Sequence, residues 1–143
     1  MSKYKFKFQS IANVKEILEK KILREISIIN KEIINRKNER DIFIEERKKV
    51  LKDILKHKLK TSDYQSIKKY DEQLKKEIVH IEKEIEACLK RKELKQKELL
   101  VKKKEIKAFE ILKENDYSNF LIEERKTELK MLNDIAIVNY NSD

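Results

Sequence analysis

The stretch that decides the fold is Leu74-Lys75-Lys76-Glu77-Ile78-Val79-His80-Ile81-Glu82-Lys83-Glu84-Ile85-Glu86-Ala87-Cys88. Leu74, Ile78, Ile81, Ile85 and Cys88 follow one another at gaps of 4, 3, 4 and 3. A repeat of about 3.5 residues keeps apolar side chains on one seam of a helix and imposes left-handed packing on a partner helix. The same register reaches Leu99, Ile106, Phe109 and Phe120, with Lys92, Lys95 and Lys102 standing in the seam between. The seam is therefore expected to pack loosely around the lysines.

Upstream lies a second periodic segment. Ile11, Val14, Leu18, Ile22, Ile26, Ile29 and Ile33 are spaced at 3, 4, 4, 4, 3 and 4. Their mean of about 3.7 is close to a straight helix and to an 11-residue repeat, so weak supercoiling is expected there. Phe43, Val50 and Ile54 continue the stripe, interrupted by Arg36, Arg40 and Arg47. Arginine stems can cover an apolar seam while their heads stay in water. Thr61-Ser62-Asp63 is the cluster of cap-type residues between the two periodic segments, with Gln65 three residues after Ser62 as in a capping box. A turn is expected at about 60–63, between a helix over about 9–59 and another over about 64–138. These are roughly 75 Å and 110 Å long at 1.5 Å per residue. The expected fold is all-α: one coiled-coil domain, a long antiparallel two-helix hairpin with the second helix longer.

Composition agrees. The chain of 143 residues has no Gly, Pro or Trp, and 44% of its residues are charged. Without Gly and Pro, little breaks a helix or supports tight turns. Such charge can also accompany disorder, but 39% of the chain is hydrophobic, much of it at helical spacing. Residues 1–9 alternate Tyr4, Phe6 and Phe8 with Lys3, Lys5 and Lys7. With no partner strand in view, an extended or frayed lead-in to the first helix is expected.

An unequal pair leaves part of the second helix without a partner. Tyr117, Phe120, Leu121, Met131, Leu132 and Ile135 fall in that overhang, which reads either as a binding surface or as a site of self-association. The net charge of +9 suits an acidic protein, a nucleic acid or a membrane surface. Its densest stretch runs from Leu89 to Lys107, but the charges spread around the helix and no aromatic residues interleave for base stacking. No apolar run approaches the roughly 20 residues of a membrane span. No signal-peptide pattern opens the chain. The lone Cys88 fits a reducing compartment, so a cytoplasmic location is expected.

Catalytic chemistry finds little footing. Without Gly there is neither a P-loop nor a dinucleotide fingerprint. His57 and His80 could lie level across the turn, but a shared metal site would need further ligands; they read as solvated or seam-edge residues. Cys88 reads as a small buried apolar residue. No catalytic residue, cofactor or metal is expected.

Both ends carry more specific patterns. Tyr4-Lys5-Phe6-Lys7-Phe8-Gln9-Ser10-Ile11-Ala12-Asn13-Val14-Lys15-Glu16 resembles the opening of the FliJ family of the flagellar export apparatus. So does the ending, from Lys107, Phe109, Glu110 and Leu112-Lys113-Glu114 through Glu123-Glu124 to Glu128-Leu129-Lys130-Met131-Leu132-Asn133-Asp134-Ile135-Ala136. Leu129 stands where that family commonly has Gln, and Asn133-Asp134 replaces Asp-Glu. Tyr70 and Leu74 look like an aromatic-and-Leu cluster early in the family's second helix. The resemblance implies a stalk-like, non-enzymatic export component, cytoplasmic and peripheral to the cell membrane at the flagellar base. Its implied partners are the hexameric export ATPase FliI, the export-gate protein FlhA and export chaperones. Carried onto this chain, it implies Phe6, Phe8, Leu132 and Ile135 as ATPase-ring contacts and Phe43, Tyr70 and Leu74 as gate contacts. A basic nucleic-acid-binding coiled coil and a structural homo-oligomer are the alternatives.

Overall fold

A computed structural model describes residues 2–56 and 60–142. The described residues form two α-helices, α1 (Gln9–Lys56) and the longer α2 (Thr61–Ser142), and no strand. The helices pair antiparallel, as the heptads require. α2 begins at Thr61, with the Tyr64 N–H bonded to the Lys60 carbonyl at 3.0 Å. Ser62 thus lies inside the first turn, where its carbonyl accepts the Ser66 hydroxyl at 3.1 Å. Asp63 sits in the same turn, where a carboxylate favours the positive end of the helix dipole. His57 and Leu59 lie outside the described residues. No described residue has positive φ, in keeping with a chain that lacks glycine.

The chain packs as two units: Lys21–Leu99, and the segments before and after it. In the Lys21–Leu99 unit the buried line on α1 includes Ile22, Ile29, Ile33 and Val50, and that on α2 Leu74, Ile81, Ile85 and Cys88. Half-buried Ile26, Arg40, Phe43 and Arg47 fall between them on α1, and half-buried Ile54 follows Val50. The α1 seam therefore runs on through Arg40 and Arg47. Register is fixed by cross-helix ion pairs: Glu25–Lys95 at 2.7 Å, Arg36–Glu84 at 2.8 Å and Arg47–Asp71 at 2.7 Å. Ile81 and Leu74 are the least exposed of the buried residues, at 2% and 4%. Both lie between the levels of the Arg47–Asp71 and Arg36–Glu84 pairs, where arginine stems close the seam from the α1 side.

The other unit joins the chain up to Lys20 with α2 from Leu100 onward. Here the contact line differs from the expected stripe. Ile11 and Val14 are 49% and 53% exposed, whereas Ala12, Lys15 and Glu19 are half-buried. Those three positions keep the 3–4 step, while the apolar set drifts at about 3.7 residues and rotates off the seam within a heptad or two. Lys15 reaches Glu105 across the helices at 2.7 Å. Ahead of α1, residues 2–6 run extended along α2 rather than fraying. Beyond Glu124, the described side chains of α2 are all exposed.

Ile81→Ala is expected to lower stability by about 2–4 kcal/mol, since it opens a cavity in the tightest part of the seam. Val79→Ala, two residues away on the outer face, should stay within about 0.5 kcal/mol. Urea unfolding followed by far-UV circular dichroism measures both; equal costs would displace Ile81 from the seam.

Candidate interaction surfaces

The extended start of the chain is held by alternate side chains. Ser2, Tyr4 and Phe6 face α2, and Lys3, Lys5 and Lys7 face outward, as the period of two dictates. The Tyr4 ring meets Tyr117 edge-on at 5.0 Å and Phe120 at 5.3 Å. Its hydroxyl donates to the Asp116 carboxylate at 2.9 Å. Burial, then that carboxylate, raises the Tyr4 pKa above its ordinary value. Ser2 donates to Glu124. Phe6, 9% exposed, is the one buried residue of this unit among the described residues, and it lines a small cleft of about 110 Å³ with Ala12, Ile106 and Phe109. Phe8 is half-buried and meets Phe6 edge-on at 5.8 Å. Lys113 donates to the Gln9 side-chain oxygen at 2.8 Å and lies 6.0 Å from the Phe6 ring centre. Tyr117 and Phe120 are therefore partly covered and do not belong to the bare overhang that the sequence suggests.

The bare part is the end of α2. Leu129, Met131, Leu132, Ile135, Ile137 and Val138 are 55–65% exposed and Tyr140 is 84% exposed. At about 100° per residue these side chains project on all sides of the helix, not along one stripe. Phe6 and Phe8 are not brought together with Leu132 and Ile135: Leu132 lies 19 residues beyond Lys113 on the same helix, about 28 Å at helical rise.

In the Lys21–Leu99 unit the three residues expected at the gate separate by role. Leu74 is buried in the seam, Phe43 is half-buried, and Tyr70 is 44% exposed. The Tyr70 hydroxyl donates to Glu46 at 3.3 Å, and burial followed by that carboxylate raises its pKa. Tyr70 also walls an apolar notch of about 240 Å³ with Val50 and Ile67.

The charged stretch from Leu89 to Lys107 is laced with carboxylates. Arg91 meets Glu32 at 2.5 Å, Lys95 meets Glu25, and Lys97 and Lys90 pair with Glu93 and Glu86 along α2. Cys88 is buried beside Ile29 and Ile33, but its sulfur also lies 3.3 Å from the Arg91 guanidinium, so it sits at the polar edge of the seam. His80 pairs with Glu84 at 2.7 Å. Among the described residues no group of three or more His, Cys, Asp or Glu is placed to hold a metal ion. Among the described residues no helix is long and apolar enough to cross a membrane.

These features define an antiparallel two-helix coiled coil whose distinctive chemistry lies on its outer surfaces: an aromatic clasp, an apolar notch and an apolar helical end. The profile of the family described as Flagellar FliJ protein matches residues 4–143, and the chain belongs to that family, a component of the flagellar export apparatus. No curated protein and no solved structure matches it.

The ion pairs give stability a pH signature. Lys95, Lys15, Arg91 and Arg47 hold Glu25, Glu105, Glu32 and Asp71 below their ordinary pKa values of 4.5, 4.5, 4.5 and 3.8. A depressed carboxyl stabilises fully above its unfolded pKa and loses that contribution as the pH falls through its folded pKa. Lys15 and Lys95 are raised above 10.5 by Glu105 and Glu25, so their contribution is full below 10.5 and drains as the pH rises beyond it. The urea midpoint is therefore expected to be flat from about pH 5 to 10 and to fall on either side. Glu25→Gln with Glu105→Gln should flatten the acid limb; an unaltered limb would remove these pairs from the account.

Proposed function

We propose that this chain is a stalk-like coupling factor of the flagellar export machine. It binds the hexameric export ATPase FliI and promotes ring assembly, contacts the gate protein FlhA, and handles empty export chaperones. It hydrolyses no ATP itself. It works in the cytoplasm, at the inner face of the cell membrane under the flagellum, and so serves motility and chemotaxis.

The observation that carries this reading is the end of α2. A helix apolar on one stripe is satisfied by a groove; one apolar all round is satisfied only when it is enclosed. Leu132 and Ile135, with Leu129, Ile137 and Val138, suit the lumen of a ring. Phe6 and Phe8 support this contact from behind, by fastening the start of the chain to α2. At the gate face, Tyr70 and Phe43 offer accessible ring surface, and Leu74 holds the helix beneath them.

A chain ending at Glu124 keeps the seat of Ser2 and loses the apolar end. It should bind and stimulate the ATPase ring at least tenfold less well, read by ATP turnover and ring assembly; full stimulation would sink the ring assignment. Tyr70→Ala should weaken gate binding about tenfold, the size of one interface aromatic, with helix content intact. Unchanged gate binding and swimming would reject the gate face. Leu74→Ala is the less clean probe, because it also opens the seam.

A further inference from the structure

The start of the chain is attached to α2 in an unusual manner. Residues 2–5 form no backbone hydrogen bond among the described residues. The nearby non-helical bonds, Gln9 N–H to the Phe6 carbonyl at 3.2 Å and Ala12 N–H to the Phe8 carbonyl at 2.9 Å, both belong to the start of α1. What holds the segment is side chains: Ser2 on Glu124, Tyr4 among Asp116, Tyr117 and Phe120, and Phe6 in its cleft. Such an attachment can come away without breaking one helical hydrogen bond, the mark of a low-cost local opening. What it covers is the aromatic face of α2 directly adjoining the bare apolar end.

We infer that Ser2–Phe6 is a latch, held to α2 by its side chains, that opens separately from the helices and, when open, uncovers the face of α2 that carries Phe109, Tyr117 and Phe120. That face runs along about 22 Å of helix from Phe109 to Glu124. The outward Lys3, Lys5 and Lys7 make no contact that docking requires, and they keep the released segment in water.

The test labels the full-length chain with 3-fluorotyrosine at position 4 and follows fluorine NMR with temperature, beside far-UV circular dichroism. The docked resonance should give way to a free one while helix content is still complete. Asp116→Ala should lower the docked-to-free ratio about five-fold, the equivalent of one ordinary hydrogen bond. Tyr4→Ala should at least double bis-ANS fluorescence with unchanged helix content. A docked signal lost only together with the helices would make the segment an integral part of the coiled coil and overturn the inference. So would a free signal at every temperature, or a Tyr4→Ala chain that gains no bis-ANS signal.

Discussion

A coiled coil of two helices has one seam, and every side chain that is to leave water must do so there. This chain keeps the 3–4 step on both helices even where the residue on it is Lys15, Glu19, Arg40, Arg47 or Lys95. Polar residues at those positions weaken packing, yet cross-helix pairs such as Lys15–Glu105 and Glu25–Lys95 turn them into register marks. A slip of one heptad would set those charges against new neighbours. Each exposed pair contributes little to stability. Their weight lies in specifying which level of one helix faces which level of the other.

Helix content, the pairing of two unequal helices and the α2 seam were legible because Leu74 to Cys88 satisfies the heptad with apolar residues. The α1 seam near its start was not. Ile11 and Val14 form the visible stripe, but contact geometry follows the position and not the polarity, and it selects Ala12 and Lys15. Apolar pattern finds a seam only where the seam is apolar. α2 begins at Thr61 and not near 64, because Thr61, Ser62 and Asp63 serve equally well as cap residues and as a first turn.

For the interaction surfaces, the alternation of Tyr4 and Phe6 with lysines was readable as extended chain, but its partner was not. A strand signal looks for another strand; here the partner is one face of a helix, and no local pattern in Tyr117 or Phe120 announces it. The family resemblance groups Phe6 with Leu132; in the structure Phe6 is buried against α2, while Leu132 is exposed 19 residues beyond Lys113. The overhang itself was legible, since unequal helices must leave one.

The apolar residues are thus distributed against the expectation for a self-sufficient fold. The seam accepts lysine and arginine, while the apolar side chains of Leu129, Met131, Leu132, Ile135, Ile137, Val138 and Tyr140 are exposed. A chain selected only for its own stability would place those residues in the seam. Placing them on exposed helix makes their coverage by a partner a source of stability by mass action. A partner that covers those side chains therefore adds to the stability of the helix that carries them.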